Sequence, residues 1–156
     1  MSITPPAIVW LEPGMPMPSP ETALQAPASL HGLVAAGTEL SAERLREAYA
    51  QGIFPWFSEG QPVLWWSTDP RMVLRTAEFR LHDSLRKTLR QLRRHGRLEL
   101  RIDSAFDQVI RHCAQAPRAG QSGTWIVPAM VAAYADLYRL GLAHSCLLYT
   151  SDAADE

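Results

Sequence analysis

Two hydrophobic periodicities alternate along this chain, and their alternation limits the possible folds more than any other feature. The segments with helical spacing are residues 41–51, 81–92, 106–113 and 128–140. The segments with the character of strands are residues 62–66, 72–74 and 98–102. Because helices and strands are interleaved, the sequence predicts a mixed fold of the α+β class.

Signals for helix ends support these segments. Ser41 suits the N-cap of the first helix, and Gly52 suits its end. Asp103 or Ser104 is the predicted cap of the third helix, in which Cys113 is expected to be buried. The fourth helix begins with a proline and is followed by Gly141.

Composition excludes several classes of protein. Residues 1–30 are rich in proline and predict extended or irregular chain. No apolar run approaches the roughly 20 residues of a membrane span, and no signal peptide is recognised, which predicts a cytoplasmic protein without membrane contact. Two cysteines and scattered histidines give no disulfide framework and no metal site. No phosphate-binding glycine loop is present, and no cofactor is predicted.

Charge is divided sharply along the chain. Residues 1–70 carry two basic and seven acidic residues, a net charge of −5. Residues 71–101 carry ten basic and three acidic residues, a net charge of +7. Such asymmetry indicates a polyanionic partner, although a charged helix can also be only a solvated face. The candidate RNA-binding residues are Arg86, Lys87, Arg90, Arg93 and Arg94.

Aromatic residues cluster in residues 52–57 and again at Trp65 and Trp66. Phe54 and Phe57 are predicted to lie in the core, because large aromatic side chains dominate packing. Three other aromatic residues could bind a base or an apolar side chain. They could instead have only a packing role. These residues are Trp56, Trp125 and Tyr134.

The last eleven residues, 146–156, have no pattern that continues the strand expected after Ser145. Over their whole length they resemble the one-frame translation of a transposase-end sequencing adapter. Sequence of such origin is excluded from reasoning about the fold. Residues 146–156 are therefore predicted to be foreign to the protein.

The motifs resemble those of the leucyl/phenylalanyl-tRNA-protein transferase family. The similarity spans about residues 16–145 in order and is most specific from the GIFPWF motif to the WWS motif. The matching segments include Ala48-Tyr49, Gly52-Ile53-Phe54-Pro55-Trp56-Phe57, Leu64-Trp65-Trp66-Ser67, Asp69-Pro70-Arg71, Gly123-Thr124-Trp125-Ile126, Ala133-Tyr134 and Ala143-His144-Ser145.

This resemblance implies a small N-terminal α/β domain over residues 1–70 and the first part of an acetyltransferase-like (GNAT-like) domain over residues 71–145. It implies a monomeric aminoacyltransferase that moves leucine, phenylalanine or, less readily, methionine from aminoacyl-tRNA to proteins beginning with arginine or lysine. Such tagging marks proteins for the N-degron pathway. By matching motif, Trp56, Trp125 and Tyr134 would surround the aminoacyl-adenosine end, and the basic stretch would meet the acceptor stem.

The resemblance also implies that the groups credited with catalysis lie beyond this chain. No residue is therefore assigned a catalytic role, and the fragment itself is expected to be inactive. The alternative interpretation is a stand-alone RNA-binding module with aromatic platforms and a basic helix. Nucleotide sequence past codon 145 separates the two, since only the transferase continues into the rest of its domain.

Overall fold

The computed structural model describes residues 8–25, 27–117 and 124–150, and these form two separate β-sheets and four α-helices. The α+β class is therefore confirmed. The strands are β1 (Val9–Leu11), β2 (Leu33–Gly37), β3 (Phe54–Pro55), β4 (Val63–Trp66), β5 (Leu98–Ile102) and β6 (Cys146–Thr150). The helices are α1 (Ala42–Ala50), α2 (Asp83–Arg94), α3 (Phe106–Gln115) and α4 (Pro128–Arg139). Short 3-10 turns occupy Pro20–Thr22, Ala28–Leu30 and Thr76–Glu78.

The larger sheet has the strand order β1-β2-β4-β3, with β1 parallel to β2 and the other pairs antiparallel. All five residues of β2 are buried, as expected for a central strand with covered faces. Gly37 lets β1 approach closely, because a Cβ there would lie 2.9 Å from the Leu11 carbonyl oxygen. Helices α1 and α4 contribute to the same hydrophobic core, so residues far apart in sequence pack together. Its most deeply buried members include Leu45, Ile53, Trp65 and Met130.

Helix ends follow the predicted chemistry in most places. Ser41 caps α1, its Oγ accepting a hydrogen bond from the Arg44 amide at 3.1 Å. Gly52 follows that helix at φ +73°, a conformation that glycine adopts without strain. Pro128 lies in the first turn of α4, and Gly141 follows its end.

The smaller sheet pairs β5 with β6 in antiparallel register, from Leu98 opposite Thr150 to Ile102 opposite Cys146. No residue of α2, β5 or β6 is buried. The strands meet at Asp103, whose Oδ1 accepts a hydrogen bond from the Ser145 amide at 2.7 Å. Among the non-glycine residues that the structure describes, Asp103 has a positive φ angle, 56°.

Several local predictions are wrong. Residues 72–74 form no strand, and Met72 is fully exposed, because no strand among the described residues pairs with this segment. Helix α3 has Ala105 at its N-cap without a side-chain hydrogen bond, since the Asp103 carboxylate instead contacts Ser145 and His144. Cys113 is exposed rather than buried.

Other elements were not predicted. Strand β1 lies within the proline-rich lead-in, and β2 and β3 are absent from the sequence prediction. Residues 146–150 were expected not to continue a strand, yet they form β6. Residues 118–123, which lie between α3 and α4, are outside the described residues, as are residues 151–156 of the tail.

Within the described ranges, no helix has the length and apolar character required to span a bilayer.

Candidate functional site

An exposed aromatic surface lies on the outer side of β3 and β4. Phe54 pairs with Trp66, and the Trp56 amide extends this pairing past β3 by donating to the Leu64 carbonyl. Because successive residues of extended chain point to opposite faces, Phe54, Trp56 and Trp66 share one face. The intervening Pro55 is buried, as is its partner Trp65. We call Phe54, Trp56 and Trp66 the outer aromatic face.

Trp56 is the most accessible member of the outer aromatic face, with 56% of its surface exposed. Its backbone is nevertheless held firmly. The Trp56 amide donates to the Leu64 carbonyl at 2.9 Å, and the Trp66 indole N–H donates to the Trp56 carbonyl at 2.8 Å. A large exposed ring on a fixed backbone is suited to stacking against a planar ligand.

Phe54 and Phe57 have different environments, although both were predicted to be core residues. Phe57 is buried in the core, which confirms the prediction for that residue. Phe54 is only half-buried and lies under the Arg71 guanidinium, whose central carbon is 5.4 Å from the ring centroid. The alternation of the strand sends one phenylalanine inward and the other to the outer aromatic face.

Tyr49 and Tyr134 join α1 to α4 through a hydrogen bond between their hydroxyl groups. Burial, together with the hydrogen bond to Tyr134, raises the pKa of Tyr49 far above its usual range. Either hydroxyl group can be the donor in this hydrogen bond. Tyr49 is not among the site residues that were predicted from the sequence. Its position three residues before Gly52, at the start of the aromatic motif, is the signal that was available.

Trp125 has a different environment from Trp56. It is half-buried and packs against the hydrophobic core immediately before α4. The Thr124 Oγ1 accepts a hydrogen bond from the Ile126 amide at 3.1 Å, which fixes the backbone on both sides of the indole. Trp125 and Tyr134 thus have packing roles in the structure, and the ligand-binding roles of Trp56, Trp125 and Tyr134 remain predictions.

The predicted RNA-binding residues all lie on α2, and all are exposed. Arg86 forms an exposed ion pair with Asp83 at 3.3 Å. Among the residues that the structure describes, Lys87, Arg90, Arg93 and Arg94 have no acidic partner. A shallow cavity of about 470 Å³ lies along the helix, lined by Asp83, Arg86, Lys87, Arg90, Gln91 and Arg94. The helix therefore presents positive charge to solvent, and its role in RNA binding remains a prediction.

Comparison with known proteins matches both parts of the chain to one family. Residues 73–154 match the family model described as leucyl/phenylalanyl-tRNA protein transferase, and residues 38–69 match the model of its N-terminal domain. The leucyl/phenylalanyl-tRNA–protein transferase of Albidiferax ferrireducens is 56% identical over 145 residues, which are 93% of this chain and 57% of the relative. The proteins of the same name from Methylibium petroleiphilum and Paraburkholderia phytofirmans are 58% and 56% identical, over 87% and 88% of this chain and 52% and 56% of theirs.

The chain spans about half the length of these curated relatives. The larger of the two family matches, residues 73–154, itself covers more than half of the chain. The chain belongs to the leucyl/phenylalanyl-tRNA protein transferase family.

Proposed function

We propose that the full-length protein is a cytoplasmic, monomeric aminoacyltransferase. It moves leucine, phenylalanine or, less readily, methionine from aminoacyl-tRNA to proteins that begin with arginine or lysine, and so marks them for N-degron degradation. Residues 71–145 would form the first part of an acetyltransferase-like domain. The names of the relatives support the transfer from tRNA to protein, and the outer aromatic face is the structural observation that carries the proposal.

The outer aromatic face gives the RNA 3′ end a place to stack. A base on the exposed Trp56 ring would gain roughly 1 to 3 kcal/mol. Tyr134 would contribute from α4, where its hydroxyl is already bonded to that of Tyr49. Trp125 would support the aminoacyl group from the start of the same helix, with its ring partly held by the core.

The basic helix α2 would bind the phosphates of the acceptor stem. Its four unpaired cations would displace counterions from the RNA, which favours binding at low salt. This contribution is independent of base sequence, so it positions the tRNA and leaves recognition of the aminoacyl end to the aromatic residues.

The reaction would be aminolysis of an ester. The α-amine of the acceptor protein attacks the aminoacyl carbonyl, a peptide bond forms, and the 3′-terminal ribose oxygen leaves and takes up a proton. Catalysis needs a group that accepts the amine proton and donors that stabilise charge on the carbonyl oxygen. We assign neither role to residues 1–145, whose contribution would be binding and orientation of the aminoacyl-tRNA.

A chimaera tests the proposal. Residues 1–145 are joined to the remaining carboxyl-terminal part of the Albidiferax ferrireducens relative, and transfer of labelled leucine from leucyl-tRNA is measured. The acceptor is a protein with amino-terminal arginine, with the same protein beginning with alanine as its control. Transfer to the arginine protein alone is expected. A chimaera that binds leucyl-tRNA but transfers to neither acceptor would favour the stand-alone RNA-binding alternative.

Within the chimaera, Trp56→Ala and Trp125→Ala should each raise the apparent KM for leucyl-tRNA, by roughly 5- to 100-fold if one stacking interaction is lost. Trp10→Ala is the matched control, because Trp10 is a tryptophan with 48% exposure on β1, the edge strand at the opposite end of the sheet from β3. Thermal unfolding is measured in parallel. If the site variants lose only folded protein and keep the KM per folded molecule, the role of these residues is packing.

The origin of residues 146–156 is a separate proposal. We propose that these residues derive from a sequencing adapter, because every one of them matches its translation. Residues 146–150 nevertheless pair with β5, and the family match extends to residue 154. Long-read sequencing of the source locus decides the matter, since genomic codons for these eleven residues would refute the adapter origin.

A further inference from the structure

Arg71 lies next to the outer aromatic face. It follows the Asp69–Pro70 bond and is exposed, yet its guanidinium lies over the Phe54 ring, 5.4 Å from the centroid. This distance is within the range of a cation–π contact, which restrains a side chain that would otherwise sample many rotamers. Arg71 is thus a positive charge placed at the edge of the outer aromatic face.

Gly52 provides space for this arrangement. A Cβ at Gly52 would lie 3.1 Å from the Arg71 Nη1, and the positive φ of Gly52 separately disfavours any other residue there. The Gly52 amide also donates to the Tyr49 carbonyl at 3.1 Å. The guanidinium therefore lies against the turn that connects the tyrosine pair to the outer aromatic face.

The charge of Arg71 is not balanced within the described part of the chain. Buried Arg44 shows the contrasting arrangement, with its guanidinium held by Glu39 and Glu47 at 2.8 Å each. No carboxylate of the described residues makes such a pair with Arg71. A restrained guanidinium without an internal counter-charge has its planar array of donors available for an external anion.

We propose that Arg71 is a substrate-binding residue that contacts a phosphodiester of the RNA 3′ end, next to the base that stacks on Trp56. Phe54, whose ring lies against the guanidinium, and Trp56 are two positions apart in extended chain, so their Cα atoms are about 7 Å apart. A single ligand that joins a planar ring to an anion can therefore contact both groups. A nucleotide has this chemistry, and the inference rests on the proposed function.

The test uses the 156-residue chain and two small probes. One is the dinucleotide cytidylyl-(3′→5′)-adenosine, and the other is the same dinucleotide with an uncharged methylphosphonate in place of the phosphodiester. Binding is followed by tryptophan fluorescence for the wild type and for Arg71→Gln, Arg71→Lys and Arg80→Gln. Arg80 is the matched control because it is an exposed arginine outside the outer aromatic face.

We expect the methylphosphonate to bind the wild type about tenfold more weakly than the phosphodiester, as loss of a hydrogen bond to a charged group implies. Arg71→Gln should weaken phosphodiester binding by about the same factor and reduce the discrimination between probes to below about twofold. Arg80→Gln should keep the full discrimination. Arg71→Lys keeps the charge but loses the planar donors and the ring contact, so it should bind the phosphodiester about threefold more weakly.

Equal discrimination in Arg71→Gln and the wild type would overturn the role of Arg71 while leaving the proposed function intact. Absence of binding of either probe to the wild type would overturn the contact with Arg71 and the stacking on Trp56, whereas the proposed transfer activity is tested separately by the chimaera. If thermal unfolding shows that Arg71→Gln does not fold, Arg71→Lys is used in its place. An affinity of Arg71→Lys for the phosphodiester equal to that of the wild type would refute the contact.

Discussion

Two regions of this molecule follow the same sequence rules and reach different degrees of packing. The first, which we call the sheet region, comprises the four-stranded sheet with α1 and α4, and it encloses a core. The second, which we call the basic region, comprises residues 71–102 and β6, and none of its residues is buried. Its exposed apolar side chains include Met72, Val73, Leu74, Phe79, Leu85, Leu100, Ile102 and Leu148.

The difference shows that amphipathic patterning forms an element but does not by itself bury it. Helices α1, α2 and α4 all have apolar residues at helical spacing, and all three segments form the predicted helix. Only the helices that find an opposing apolar layer become part of a core. The exposed apolar side chains of the basic region are of the kind that occur where a protein surface binds another segment or partner.

The largest expected effect is on transfer activity, because both regions of this chain are predicted to bind the tRNA and neither to carry the catalytic groups. The purified 156-residue chain should transfer no labelled leucine above background, whereas the chimaera described above should be active. The physical reason is that loss of even one group stabilising the carbonyl oxygen costs about 100- to 1,000-fold, and we expect all such groups outside residues 1–145. Comparable turnover by the two proteins would place the catalytic groups within this chain.

The next effect compares one leucine from each region. Leu45→Ala removes a fully buried side chain of the sheet region and should lower the free energy of unfolding by about 2 to 5 kcal/mol. Leu100→Ala is the matched control in the basic region, where the leucine is 58% exposed, and should change it by less than about 0.5 kcal/mol. Urea unfolding followed by tryptophan fluorescence measures both. Equal losses would mean that the basic region has a core of its own.

A smaller effect concerns the charges of the basic region. In the chimaera, Arg93→Ala combined with Arg94→Ala should weaken tRNA binding and reduce the slope of log K against log salt by about 2. Arg75→Ala combined with Arg101→Ala is the matched control, since these arginines pair with Glu78 and Glu99. Titrations at several salt concentrations provide the slopes. An unchanged slope in the first variant would identify α2 as only a solvated face.

The smallest effect is expected where the two regions meet, at Asp103. A hydrogen bond with His144, 2.7 Å long, and then one from the Ser145 amide hold the pKa of Asp103 below its usual value. The unfolded chain therefore binds the proton more readily than the folded one. The stability that this carboxylate contributes is present above its unfolded pKa of about 3.9 and is lost as pH falls through the lower folded pKa.

Asp103→Asn keeps an acceptor for the Ser145 amide and removes the titrating group. The melting temperature of the variant should fall less steeply than that of the wild type as pH decreases below about 4. Asp107→Asn is the control, an exposed carboxylate in the first turn of α3. Identical pH profiles for wild type and Asp103→Asn would show that the contact with His144 does not contribute.

Local signals predicted part of the fold. Ser41 and Gly52 predicted both ends of α1, and Pro128 predicted the start of α4, because capping and proline preferences act through the residues themselves. Strands β1, β2 and β3 were missed for the opposite reason. They are short or buried on both faces, so they lack the alternation that identifies a half-buried strand.

Part of the candidate site could likewise be predicted from local sequence, and part could not. The aromatic motif itself selected Trp56, whose ring is exposed at the outer aromatic face. The pairing of Tyr49 with Tyr134 joins residues 85 positions apart, and no local pattern reports a contact of that separation. The placement of Arg71 over Phe54 likewise depends on how the chain turns after β4.

The sequence by itself determined the mixed class, the four helices, the division of charge and the family. Each of these depends on periodicity, composition or motifs, which are properties of neighbouring residues. The tertiary structure decided which amphipathic elements are buried, which phenylalanine faces inward, and what Arg71 and Tyr49 contact. Those outcomes depend on strand register and on helices that meet from distant parts of the chain, so only the assembled packing fixes them.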